Sequence, residues 1–269
     1  MALKDITLGQ FFPGNSFVHR LDPRSKLVAA ILYIVALFLC KGWVAYALSL
    51  AVLLLAIKVS TIAPKAIIRG MKPVVILLVF TALLNMLYYP GEQVLVSFWI
   101  ITITLEGVRH AFFMVVRILM LISCTFLLTY TTSPLALTDG LESLLSPLKK
   151  LRFPVHELAM MMSIALRFIP TLIEETDKIM SAQRARGADF DSGNLFQKAK
   201  ALIPLLVPLF ISAFRRADEL ATAMECRCYH GGQGRTRLKK LELTAADGFV
   251  MAGALALGVL VWILGRFGL

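Results

Sequence analysis

The sequence has few charges. Asp, Glu, Lys and Arg make up 17% of the 269 residues, against about 25% in an ordinary globular chain. It has no Gly-x-x-x-x-Gly-Lys-Ser/Thr phosphate loop, which excludes a nucleotide site of that type on this chain. It has neither His-Glu-x-x-His nor a Gly-x-Ser-x-Gly elbow, so a zinc protease and an α/β-hydrolase are set aside. His19, His110 and His156 are scattered over different segments and converge on no catalytic centre. No apolar run follows a short basic start: residues 1–26 are mixed and polar, which is not a secretory signal. Cysteine is scarce, and four residues make no disulfide framework. Cys40 and Cys124 lie in apolar runs as small hydrophobes. Cys226 and Cys228 stand near His230, but no second ligand cluster completes a zinc site, so no metal is expected.

What is abundant is apolar surface. The chain is 58% hydrophobic with a mean hydropathy of +0.76, above the roughly 45–50% apolar content of soluble domains. Its net charge is nevertheless +11. A chain both apolar and basic reads as membrane-embedded with a positive cytoplasmic face, and nothing points to nucleic acid. Five spans are expected. Leu27–Cys40 and Trp43–Ile57 are each shorter than the roughly 20 residues of a straight span. They read as a tight helical hairpin broken at Lys41-Gly42; one long tilted helix with a snorkelling Lys41 is the other reading. Val74–Tyr89 opens after Lys72-Pro73, Ala111–Thr132 carries Arg117, and Ala245–Leu264 closes the set. Gln93–Leu105 alternates and is β-branched, as in an extended or short helical excursion. For Arg117 three readings stand: a pair with Glu106, a cap on carbonyls of a neighbouring helix, or a part in transport.

Residues 133–242 differ in character, being polar, basic and studded with Leu, Met and Ala at helical spacing. The predicted organisation is a membrane domain over 1–132 with four spans, a cytoplasmic helical region over 133–242, and a last span in 243–269. The fold class is all-α, a polytopic membrane protein. Two amphipathic helices are expected, from about Val155 to Arg186 and from about Leu195 to Arg227. Neither looks long enough to span without burying Arg167, Arg215 or Arg216, so both are placed on or just below the membrane. Pro170, Pro204 and Pro208 predict bends. Lys and Arg concentrate before the first span, between the second and third, and after the fourth, while the opposite side keeps Lys41, Arg109 and Arg266. That alternation places the N-terminus and residues 133–242 inside and the C-terminus outside.

The two long helices end alike. Ala182-Gln183-Arg184-Ala185-Arg186-Gly187 is echoed by Ala223-Met224-Glu225-Cys226-Arg227-Cys228. Small residues let such a tip enter a groove, the helix dipole favours a cation there, and Gly187 suits a left-handed cap. A guanidinium can also grip a partner carboxylate bidentately. Taken singly, an arginine at a helix end is an ordinary cap; a matched pair on two helix ends points to two sockets on a dimeric partner. Met160, Met161 and Met162 form a soft apolar cluster, read either as core or interfacial filling or as a surface that repacks against interchangeable partners.

These segments resemble the two Ala-Arg-Gly motifs of the transmembrane T component of energy-coupling factor (ECF) transporters. Ala185-Arg186-Gly187 matches in full and Cys226-Arg227-Cys228 is a degenerate copy. His19-Arg20-Leu21-Asp22-Pro23-Arg24-Ser25-Lys26, Thr131-Thr132-Ser133-Pro134 and Leu166-Arg167-Phe168-Ile169-Pro170 resemble further motifs of that family. The resemblance implies a non-catalytic subunit in the cell membrane of a prokaryote, docked on two ABC-type ATPases that use ATP and Mg. A separate S component would bind a vitamin or metal ion. Arg186 and Arg227 would sit at the ATPase contact, with no cofactor held by this chain; apart from the resemblance, the adaptable face of Met160, Met161 and Met162 would suit docking of interchangeable S components. An intramembrane enzyme and a secondary transporter acting alone are the alternatives.

Overall fold

The computed structural model describes residues 11–88, 93–98, 101–151, 153–190, 194–231 and 241–267. Helix follows helix: α1 (Phe17–Arg20), α2 (Pro23–Leu39), α3 (Trp43–Ser60), α4 (Pro64–Tyr88), α5 (Leu105–Thr131), α6 (Pro134–Leu144), α7 (Val155–Ala185), α8 (Leu195–Ala201), α9 (Ile203–Cys226) and α10 (Ala245–Arg266). A 3₁₀ segment, Ser146–Leu151, precedes α7. The all-α class holds, with one small addition. The β-branched excursion is extended, and β1 (Val94–Phe98) pairs antiparallel with β2 (Ile101–Thr104) around a bulge between Val94 and Val96.

Two compact units share the chain. One runs from Gly9 to Gly140 and takes up Leu241–Leu269; the other covers Leu141–Lys240. The division falls inside α6, later than the change of composition at Ser133. Residues just after that change still pack on the first unit: a Cβ at Gly140 would come within 2.9 Å of Pro23.

In the first unit the helical hairpin is real. α2 ends at Cys40, and α3 restarts after Gly42 in extended backbone. Its core joins α2, α3, α5 and α10 through Tyr33, Leu37, Ala45, Tyr46, Leu53, Met120, Cys124, Leu257 and Val261. A smaller cluster gathers Ile62, Ile67 and Tyr130, and much of the remaining apolar surface stays outside, as lipid-facing helices require: Ile76 on α4 is 79% exposed. α4 begins ten residues before the expected third span, at Pro64, and carries Pro73 inside it. Proline at the first helical position costs nothing because that N–H has no helical acceptor, whereas Pro73 forgoes its bond to the Arg69 carbonyl. A Cβ on Gly70 would sit 2.8 Å from the Phe126 ring, so glycine is what lets α4 approach α5 there.

Among the described residues, five helices are long and apolar enough to cross a membrane: α3, α4, α5, α7 and α10. The membership differs from the sequence expectation by one in each direction. α2 has 17 residues, about 25 Å of rise against a hydrocarbon core of about 30 Å. α7 qualifies on length at 31 residues, with a window of mean hydropathy 1.3, so shortness is not what would keep it from spanning.

Two charged features of this unit are structural. Arg117 on α5 donates to the Cys40 carbonyl at 3.2 Å and lies against the Phe38 and Tyr46 rings, 5.8 and 5.7 Å from their centroids. It caps α2, and the pairing with Glu106 is not made. The stretch around Asp22 is buried and bonded within this unit. Asp22 caps α2 by accepting from the Arg24 amide at 2.8 Å, and its own N–H donates to Asp247 Oδ1 at 2.8 Å. Ser25 donates to the same oxygen at 2.6 Å. Asp247 Oδ2 accepts from the Thr244 amide at 2.9 Å and the Thr244 hydroxyl at 2.6 Å, closing the first turn of α10. Buried Lys26 donates to the Thr131 carbonyl at 3.0 Å and the His19 carbonyl at 3.2 Å, capping α5. The start of α2, the end of α5 and the start of α10 are thus held in one polar knot.

Candidate functional site: two matched helix tips

The second unit is built on α7 and α9. The start of α7 is anchored by buried Val155 and by His156, whose Nδ1 lies 3.0 Å from Glu142 Oε1. The second long helix is not continuous from Leu195, as the sequence suggested. α8 stops at Ala201 and α9 starts afresh with Leu202 as its N-cap. Pro204 is the cause: it cannot donate backward, so it is accommodated only in the first turn of a new helix.

The tips share one backbone form. At the end of α7 the Gly187 amide donates to the Arg184 carbonyl at 3.0 Å and the Ala188 amide reaches the Gln183 carbonyl at 3.0 Å. At the end of α9 the Cys228 amide donates to the Glu225 carbonyl at 2.8 Å and the Tyr229 amide to the Met224 carbonyl at 3.1 Å. Both are Schellman motifs, with Arg186 and Arg227 as the cap residues. Gly187 takes φ +86° and Cys228 takes φ +58°. Replacement of glycine by cysteine therefore leaves the cap geometry intact; two backbone bonds hold the left-handed conformation that a side chain disfavours by about 1–2 kcal/mol. This is also the position that Cys228 fills beside His230: its backbone is committed to the cap.

Every residue singled out at the tips is solvent-facing. Ala182, Ala185, Arg186 and Gly187 are exposed, as are Ala223, Cys226, Arg227 and Cys228. The arginines are thus presented rather than folded back. Met161 and Met162 are 54% and 53% exposed and Met160 is half-buried, which is surface rather than core filling.

The sequence reading missed what joins the two helices. Glu175 on α7 accepts from the Ser212 hydroxyl and, at 2.7 Å, from the Arg216 guanidinium on α9. Farther along α7, the Gln183 side-chain amide reaches the Pro204 carbonyl at 3.4 Å. Advancing on α7 therefore means retreating on α9, so the helices run in opposite senses and their tips lie at opposite ends of the pair. The signal was available: the echo continues upstream of the tips, with Asp177 matching Asp218 and Glu175 matching Arg216 at the same offset.

Comparison with known proteins decides the family. Residues 14–238 match the family model described as cobalt transport protein, CbiQ. A protein of Thermosediminibacter oceani named energy-coupling factor transporter transmembrane protein EcfT is 54% identical over 259 residues, covering 95% of this chain and 97% of that one. The chain belongs to the EcfT family. The EcfT protein of Heliobacterium modesticaldum is 55% identical over 245 residues, covering 91% of this chain and 92% of its own. That of Clostridium kluyveri is 53% identical over 265 residues, covering 98% of each. The chain is accordingly a multi-pass membrane component of an ECF transporter, and the resemblance read from its motifs holds along nearly its whole length.

Proposed function

We propose that this EcfT chain is the coupling subunit of its transporter, passing the movement of two ABC-type ATPases to a substrate-binding S component. The observation that carries the reading is the pair of matched, exposed, arginine-bearing Schellman tips at opposite ends of the α7–α9 pair. A symmetric dimer offers two equivalent grooves, and two matched plugs set at opposite ends of one helix pair fit that demand. Each arginine brings a planar fork for a carboxylate, and each small-residue face lets the helix end approach closely.

In this reading the N-terminus and the Leu141–Lys240 unit are cytoplasmic, in the membrane of a prokaryotic cell. The chain itself carries out no chemistry, binds no cofactor, and leaves ATP and Mg to its partners. The half-exposed methionines at 160–162 meet the S component, whose cargo is a vitamin or a metal ion. Thioether side chains adapt to different partner shapes, which suits S components that exchange.

The test is charge reversal at both tips. Arg186→Glu with Arg227→Glu should reduce ATPase subunits co-purified in mild detergent at least tenfold and abolish uptake. A fully assembled, fully active complex from that double variant would overturn the reading.

A further inference from the structure

Glu175 and Arg216 hold equivalent places in the α7–α9 echo, each eleven residues before the arginine of its own tip. At about 1.5 Å per residue, both lie roughly 16 Å from their tips. The helices run in opposite senses, so the two residues meet where the pair's local two-fold relation puts equivalent positions face to face. Identical residues there would bring like charges together. Here the carboxylate and the guanidinium meet at 2.7 Å, with Ser212 donating to the second carboxylate oxygen. The side chains are only 23% and 31% exposed, sheltered enough for the pair to resist sliding better than a surface ion pair. Other charged residues nearby on the two helices, Glu174, Lys178, Arg215 and Asp218, have no ion pair across the crossing among the described residues.

We infer that Glu175 and Arg216 form the fulcrum of the coupling pair: a polar pin, midway between the tips, about which α7 and α9 turn as levers. A pin of one carboxylate, one guanidinium and one hydroxyl blocks sliding along the axes but permits a change of crossing angle. Force applied at the tips then becomes rotation at the far ends instead of slippage. Apolar contact between two helices, by comparison, sets no single register. Glu175 and Arg216 are positioning residues. This inference rests on the coupling reading above, and its failure shows differently: the tips govern capture of the ATPases, whereas the fulcrum governs what capture achieves.

The experiment uses the complete complex, co-expressed with its two ATPases and an S component and reconstituted in vesicles. Its readout is tracer accumulated per ATP hydrolysed, the tracer being whichever radiolabelled B vitamin or cobalt(II) ion the wild-type complex accumulates. Glu175→Arg and Arg216→Glu should each keep ATPase co-purification while lowering the ratio at least tenfold. Combining them as a charge swap should restore it to within about twofold of wild type. Glu175→Gln keeps the size of the side chain and an acceptor for Ser212, and should lower the ratio about threefold with capture unchanged. That mild variant decides alone if the swap fails to assemble. A wild-type ratio in Glu175→Gln, or a swap that assembles without recovering, overturns the fulcrum. A role confined to stability would lower the yield of complex and leave the ratio untouched.

Discussion

Cys228 and Gly187 do the same work with different chemistry. Each lies just past a cap arginine with positive φ, and each receives the same two backbone bonds around it. Glycine takes that conformation freely, while cysteine takes it against a steric cost of about 1 kcal/mol or more. The α9 tip is therefore the more strained of the two. Cys228→Gly should stabilise it by about 1 kcal/mol, read as amide exchange at Tyr229 slowed about fivefold. A Tyr229 amide that exchanges no slower in the glycine variant would show that the cap bonds bear no strain. Arg117 teaches a similar lesson: a cation inside a span need not belong to a transport path. Its guanidinium satisfies the Cys40 carbonyl at the end of α2 and rests on two aromatic faces, so the helix end keeps a partner.

Among elements, the junction of α2 and α10 depends most on a single side chain. Asp247 is 1% exposed and accepts from groups on both helices: Ser25 and the Asp22 amide on one side, Thr244 on the other. Removing it would strand several buried donors at once. Asp247→Ala should cost about 3 kcal/mol, seen as a drop in melting temperature in detergent. Asp247→Asn, which keeps one acceptor oxygen, should cost clearly less. Equal melting of the alanine variant and the wild type would mean that the knot contributes nothing to holding α10. α8 and α9 show the opposite effect, where one residue divides rather than joins: Pro204 turns what reads as one amphipathic helix into two.

For the molecule as a whole, the first prediction concerns sidedness. In the orientation proposed above Cys226 and Cys228 face the cytoplasm, and both thiols are free and exposed. A membrane-impermeant maleimide should label them in inverted vesicles and leave them unlabelled in intact cells. Labelling from the outside of intact cells would reverse the orientation and remove the tips from any cytosolic motor. Charge reversal at both tips and the charge swap at the crossing belong to this scale too. They separate holding the ATPases from using their motion.

The sequence alone determined the membrane class, the hairpin at Lys41-Gly42, the extended excursion before α5 and the matched tips. Each is a local matter: run length, a breaker, β-branching, or a short pattern repeated at a helix end. It also determined the family, because those motifs recur together in one chain. It misplaced the start of α4 and the continuity of α9, since a proline reads the same whether it opens a helix, lies within it or divides it; the surrounding hydrogen bonds decide which. Tertiary structure alone showed that Asp22, Ser25 and Asp247 converge, that Arg117 caps α2, and that Glu175 meets Arg216. Such partners are distant in sequence, and only the packing of one helix on another brings their charges within reach.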